Sequence, residues 1–296
     1  MDLCLFARPD LAPGGDFAAF LEIARLAEAA GLHSLCFGEH VVMAEDTSRY
    51  PYGPWGHSPG TPWPDPLVSL AAVAAATERV RLSTAVLLAS LRAGLVLAKE
   101  VATLDVISSG RVELGLGTGW QSEEYAGVGL TWSGRRRRLD EVVEICRAAW
   151  GPQPFSIVVA GQRLDGLRAL PTPVQSRVPL LYGVRMTPAN ARRIARLGDG
   201  WTPVGVGPDD VRDGVALLRT AYAEAGRDDS ALVVRIPLPP VLDAFGRVDA
   251  KRTFEPAEAY AAAGATSFAV GFNHRLGSLD EAAELIDGYA AAGAAL

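Results

Sequence analysis

Short apolar runs of β-favouring residues alternate along this chain with longer, alanine-rich segments whose apolar positions recur at helical spacing. DLCLFA is followed by a helical pattern over residues 16 to 30, GLHSLCFGEH by one over 66 to 78, RVRLSTAVLL by one over 94 to 108, and RVELGLGTG by one near 136 to 150. The alternation continues with VPLLYGV and 188 to 197, DGWTPVGV and 208 to 226, LVVRIPLPPVL and 254 to 263, and ATSFAVGF and 279 to 293. Near-continuously apolar strands belong to a parallel sheet covered on both faces, and eight such strand–helix pairs close into a (β/α)8 TIM barrel. A doubly wound open sheet is the alternative. The first β-to-α turn, RPDLAPGGD, lacks the GxGxxG spacing of that fold and leads instead to an N-cap at Asp16. Two segments interrupt the repeat: residues 41 to 65, rich in Pro, Gly and aromatics, after the second strand, and 151 to 178 before the fifth. Both are expected on the rim that carries the chemistry.

Length changes this picture little, because a barrel of 296 residues forms one unit, so 1–296 is expected to be a single domain. The hydrophobic share of 49% with 21% charged residues fits a globular enzyme. A formal charge of −6 offers no basic field for a phosphate backbone, so nucleic acid is not an expected partner. Cys4, Cys36 and Cys146 are far apart and lack metal-ligand spacing, which argues for buried thiols, no disulfide and no metal. The start, MDLCLFARPD, has no basic region followed by an apolar run, and no apolar stretch reaches bilayer length. A cytoplasmic protein without membrane contact is expected.

In a barrel the chemistry gathers where strands end. The second strand ends in Glu39 and His40, the fourth in Gly117, Thr118 and Gly119, the fifth in Tyr182, Gly183 and Val184, and the eighth in Phe272, Asn273, His274 and Arg275. His40 at such a place is a proton donor, a ligand contact or a satisfied polar residue. Gly115, Gly117 and Gly119 alternate where bulkier residues would suit a strand better, so another backbone or a ligand must come close. Thr187 before Pro188 reads as a helix cap, either an ordinary one or one whose free backbone N–H groups hold an anion. Arg135 to Arg138 are a solvated face paired with nearby acids, or a steering patch for a polyanionic tail. Tyr50, Tyr52, Trp55 and Trp63 would form an aromatic wall.

Together, SLCFGEHVV, YPYG, DPLVSLAAVAAATERVRLSTAVLL, LAKEVATLDVISSGRVELGLGTGWQSEEYAGVGL, RRRRLDE and ARRIARLGDGW resemble the luciferase-like monooxygenase superfamily, especially its actinobacterial coenzyme F-420-dependent oxidoreductases. The match runs in order over roughly residues 1 to 205. The resemblance implies a barrel that binds F-420 or FMN at the carboxyl ends of its strands. The phosphate would lie near Gly117, Thr118 and Gly119 and near Tyr182, Gly183, Val184 and Thr187, with the ring beside a non-proline cis link between Ala85 and Val86. Departures are visible. The second loop reads YGVRMTP where many members have two glycines. Trp120 replaces the glutamate of members that oxidise sugar phosphates, and Gly117 and Val41 replace the reactive cysteine and second histidine of luciferases.

The resulting expectation is an oxidoreductase that moves a hydride between F-420 and a small organic substrate. His40 would act as proton donor or polariser, supported by Glu39, and Tyr50, Trp55, Asn273, His274 and Arg275 would contact substrate. An FMNH2-dependent monooxygenase, served by a flavin or deazaflavin reductase, is the alternative. A non-catalytic flavin binder and a barrel isomerase or lyase working by acid–base chemistry alone are further ones. The resemblance also suggests a homodimer through the first three helices, where Ala71, Ala72, Ala74, Ala75 and Ala76 would permit close approach.

Overall fold

A computed structural model of the chain describes residues 1–272 and 274–296. The strands are β1 (Asp2–Phe6), β2 (Ser34–Phe37), β3 (Arg81–Thr84), β4 (Leu114–Leu116), β5 (Phe155–Val159), β6 (Gln162–Leu167), β7 (Leu180–Tyr182), β8 (Gly200–Trp201), β9 (Val233–Pro237) and β10 (Ser267–Gly271). The helices are α1 (Phe17–Ala29), α2 (Pro66–Ala76), α3 (Gly94–Ile107), α4 (Ser122–Gly127), α5 (Arg135–Trp150), α6 (Pro188–Leu197), α7 (Pro208–Glu224), α8 (Ala250–Thr253), α9 (Ala257–Ala262) and α10 (Leu279–Ala294).

Eight parallel strands follow one another in the order β3-β2-β1-β10-β9-β8-β7-β4. The ring closes between β3 and β4 through the parallel bridges Leu82↔Val112 and Leu87↔Leu116. Both faces are covered, as the buried runs of β2, β4 and β7 require. Asp16 caps α1 by accepting from the Ala18 amide at 3.0 Å, and Asp65 caps α2 by accepting from Leu67 and Val68 at 2.9 and 3.0 Å. Arg111 closes the other end of α2, donating to the carbonyls of Ala74 and Thr77 at 2.9 and 3.0 Å.

Not every strand-lining residue is apolar. Near the amino ends of the strands Arg235 and Glu113 form a buried ion pair at 2.5 Å, and Arg235 also donates to Ser83 and Ser267 at 3.0 and 3.1 Å. Burial opposes the guanidinium charge most strongly, but the attraction and hydrogen bond of Glu113 together with the neighbouring Cys4 and Cys36 thiols more than offset it, and the Arg235 pKa is pushed up.

Segment 151–178 corrects an expectation. It forms the antiparallel hairpin β5–β6, turned by Ala160 and Gly161 at φ +50° and +76°, and it lies at the pole opposite the strand ends. Its tail shows this: Gln175 donates to the Val112 carbonyl at 2.8 Å and to Asp105 at 2.7 Å, where α3 stops and β4 begins. The reason is topological, since a connection from a helix to the next strand reaches the amino end of that strand.

The alternating glycines resolve to one of the two neighbours expected for them. What approaches them is the neighbouring chain. A β-carbon on Gly115 would overlap the Thr84 carbonyl oxygen, and one on Gly117 would overlap a methyl of Val86. A β-carbon on Gly183 would stand 2.8 Å from the other Val86 methyl. The Ala85–Val86 peptide is cis. Pairing continues past it, with Thr84 Oγ1 and the Leu87 amide both donating to the Gly115 carbonyl at 2.7 Å. Gly115→Ala should therefore destabilise the protein by about 1–3 kcal/mol or more in urea unfolding, because its obstacle is backbone. Gly127→Ala, with open space at a helix end, should be neutral or stabilise by up to about 1 kcal/mol.

Candidate functional site

β2 stops at Phe37 and the chain turns outward through Gly38, Glu39 and His40. Gly38 lies under an indole: a β-carbon there would stand 3.2 Å from Trp63 and 3.5 Å from both Phe6 and the Ala85 carbonyl oxygen. Trp63 thus covers the mouth between the ends of β1 and β3. It is brought there by segment 41–65, which crosses the strand ends and is pinned at several points. The amides of Val41 and Ala44 donate to Glu124 and Gln121 at 3.0 and 2.9 Å, Arg49 pairs with Glu123, and Asp65 pairs with Arg92 at 2.9 Å.

His40 is the hub of this region. Its Nδ1 lies 3.1 Å from Glu124 Oε1 and 3.1 Å from Gln121 Nε2. Edge-to-face rings surround it: Trp63 at 4.8 Å, Trp55 at 5.4 Å and Trp120 at 5.9 Å between centroids. Tyr50 extends the cluster, 4.7 Å from Trp55 and 5.4 Å from Trp120. The indole N–H groups of Trp55, Trp63 and Trp120 are buried and have no acceptor among the described residues. Three donors left open around one histidine form a set that an acceptor-bearing ligand would satisfy.

Of the residues expected at the site, His40, Tyr50 and Trp55 come together here, and Ala85, Val86, Gly117 and Gly183 meet at the adjoining strand ends. Glu39 does not support His40. It is buried beneath, accepting from the Leu88 amide at 2.6 Å and pairing with Arg92 at 2.6 Å, and so anchors the turn after β3. Tyr182 points away from the mouth: its ring packs on Gly198 between the sheet and helices α5 and α6, and burial pushes its phenol far up. In a strand of three residues, only Leu181 faces the other way.

Thr118 accepts at its carbonyl from the Tyr125 hydroxyl at 2.8 Å, and Gly119 turns the chain at φ +65°. The Val184 carbonyl accepts from Trp201 Nε1 at 2.8 Å, and Thr187 caps α6 by accepting from the Asn190 amide at 3.2 Å. His274 joins Glu281 at 3.0 Å, and Arg275 donates to the Asp10 carbonyl at 2.9 Å, tying the last turn of the barrel to the first. Asn273 lies outside the described residues. In the arginine run, Arg138 donates to the Ser90 carbonyl at 2.7 Å and Arg135 stacks on Trp132 at 3.6 Å, so both serve local packing.

Glu124 and Gln121 were not expected from the sequence. A signal for them exists, since they stand three apart where a helix opens directly after the glycine turn, and so share one face. Arg8, at the end of β1, was also missed. It is buried, pairs with Asp10 at 2.9 Å, stacks on Trp63 at 4.7 Å and lies 3.2 Å from a ring nitrogen of His57.

A family model described as luciferase-like monooxygenase matches residues 1–296. An uncharacterized protein of Mycobacterium tuberculosis is 36% identical over 230 residues, 76% of this chain and 80% of its own length. An F420-dependent glucose-6-phosphate dehydrogenase of Nocardia farcinica is 34% identical over 186 residues, which span 61% of this chain and 51% of that protein. The solved structure of an F420-dependent secondary alcohol dehydrogenase, in complex with an F420-acetone adduct, superposes with a TM-score of 0.77 at 19% identity and covers 97% of this chain and 98% of that one. The last is a likeness of fold. No helix among the described residues is long and apolar enough to cross a membrane.

The setting of His57 between Arg8 and the indoles predicts that the docking of segment 41–65 depends on pH. Burial, then the charge of Arg8 and to a lesser degree that of His40, lower its pKa, while Asp10 opposes them. Its ring also packs against Trp55 and Trp63. A histidine with a depressed pKa favours the docked form when neutral, so docking is complete above the free value of about 6.5 and weakens as pH falls below it. Quenching of tryptophan fluorescence by acrylamide should rise between pH 7 and pH 5. The rise should flatten in His57→Gln.

Proposed function

Because this chain belongs to the luciferase-like monooxygenase family, we propose that it is an oxidoreductase moving a hydride between coenzyme F-420 and a small organic substrate. The choice of F-420 over FMN rests on the F420-dependent dehydrogenase relative at 34% identity. The observation that carries the reading is the setting of His40, held by Gln121 and Glu124 at the start of α4, at the mouth of the barrel, and ringed by indoles with open N–H groups.

The residues present fit a flat heterocycle. Trp55, Trp63 and Trp120 offer stacking surface and unpaired donors, Val86 and the Ala85 carbonyl back the mouth, and the glycine turn at 117–119 lies beside them. Such a ring would be held by these groups, and by the α6 cap at Thr187 at its phosphate end. When bound, F-420 supplies the hydride chemistry. The chain's own part is to bind, orient and shield. His40 would exchange a proton with the substrate oxygen through Nε2, which has no hydrogen-bond partner among the described residues. Trp63 over Gly38 would exclude water, and segment 41–65 would have to swing aside to admit ring and substrate.

The mouth is not a phosphate-ester pocket in this reading. Its cations are already matched: Arg8 by Asp10, Arg49 by Glu123, and Arg92 by Glu39 and Asp65. A neutral alcohol or ketone suits it better than a sugar phosphate.

The homodimer is likewise proposed. The outer face of α2 and α3 exposes Val68, Leu95, Val96, Val106 and Ile107, an apolar surface that a second copy would cover. Val68→Glu with Val96→Glu should convert a dimer to monomer in sedimentation velocity.

Titration with F-420 and FMN should give saturable binding with F-420 the tighter, and the loaded protein should reduce or oxidise members of a panel of small alcohols and ketones. His40→Ala should lower turnover by about 10²–10⁴-fold while F-420 affinity stays within a few fold. Oxygen consumption with FMNH2 and no saturable F-420 binding would move the assignment to a monooxygenase.

A further inference from the structure

We infer that Glu124 is a positioning residue that fixes the proton of His40 on Nδ1, and that Gln121 is held ready as the competing partner of the same nitrogen. The inference rests on the reading of His40 as the residue that exchanges a proton with substrate. Its basis is an arrangement at the start of α4, with Glu124 on the helix and Gln121 at its N-cap position. Glu124 is fully buried, and its Oε1 accepts from the Val41 amide at 3.0 Å while lying 3.1 Å from His40 Nδ1. Gln121 is oriented by two backbone groups: Oε1 accepts from the Ala44 amide at 2.9 Å, and Nε2 donates to the Val42 carbonyl at 3.2 Å. That orientation leaves the Gln121 amide nitrogen 3.1 Å from the same His40 Nδ1.

One ring nitrogen cannot serve both neighbours. With a proton on Nδ1, the imidazole donates to the carboxylate and the Gln121 amide is left with the Val42 carbonyl. With the lone pair on Nδ1, Gln121 donates to the ring, and Glu124 Oε1 faces a lone pair while its Oε2 is already buried without a partner among the described residues. A hydrogen bond to a carboxylate is roughly twice as strong as a neutral one, so the first arrangement wins. It leaves Nε2 as the unprotonated nitrogen, the form that can take a proton from an alcohol, and returns it in the opposite direction once the ring is an imidazolium stabilised by Glu124.

The test uses the four histidines of the chain, whose ring nitrogens are few enough to assign by long-range ¹H–¹⁵N correlation in the cofactor-free protein. Wild type should show His40 protonated on Nδ1. Glu124→Gln, which keeps an acceptor, should preserve that tautomer. Glu124→Leu, which removes it, should hand Nδ1 to Gln121 and move the proton to Nε2. Gln121→Leu should leave Nδ1 protonated. Unchanged signals from His33, His57 and His274 report that each variant is folded. Proton on Nε2 in wild type, or on Nδ1 in Glu124→Leu, overturns the inference. In turnover, Glu124→Leu should lower kcat about 10–100-fold with KM within about threefold, and Glu124→Gln should recover part of the loss. If no hydride transfer is found with F-420, the proposed function fails while the tautomer result still stands or falls alone. If His40→Ala abolishes turnover and Glu124→Leu does not change it, the positioning role fails alone.

Discussion

Closure of the barrel depends on how far the end of β3 leans over its neighbours. Thr84, Ala85 and Val86 pass so close to β4 and β7 that Gly115, Gly117 and Gly183 have no room for a side chain, and the hydrogen bonds of Thr84 Oγ1 and of the Leu87 amide to the Gly115 carbonyl hold the approach in register. At Gly115 the obstacle is backbone, which has no rotamer to change, while at Gly117 and Gly183 it is the β-branched side chain of Val86, which is stiff about χ1. From this approach follows the position of Leu88, whose amide is taken by Glu39, and so the position of Arg92, which ties that carboxylate to Asp65 at the start of α2. The floor of the mouth is thus fixed before any functional side chain is placed on it.

Above that floor the site is assembled from parts remote in sequence. His40 and Glu124 are 84 residues apart, and Arg8 and His57 are 49 apart. The paired charges leave aromatic donors, rather than net charge, as the chemical character of the mouth. Selectivity in such a place comes from shape and from the penalty of leaving a buried polar group unmatched, which discriminates more sharply than apolar contact does.

The alternation of apolar strands and amphipathic helices was legible because a parallel strand covered on both faces has an unmistakable pattern. Asp16 and Thr187 were legible as caps because capping is local. The glycine run was legible as a place of close approach, but a glycine records only that a side chain is missing, so Val86 could not be named as its neighbour from spacing alone. Sequence alone pairs Glu39 with His40 because the two are adjacent, whereas adjacent residues near a strand end point to opposite sides and the neighbour in the structure arrives from α4. Sequence alone places Tyr182 at the mouth for a similar reason, the parity of a three-residue strand being unreadable from its ends.

The hairpin β5–β6 stands at the pole away from the mouth, with Ala160 and Gly161 at its exposed tip. Its strands pair with each other and not with the barrel sheet. A dye, a tether or a whole second protein joined at that tip would hang from the far end of the molecule, leaving the mouth of the barrel unobstructed. The hairpin is therefore a natural handle by which this barrel can be immobilised or linked to others with its mouth turned outward.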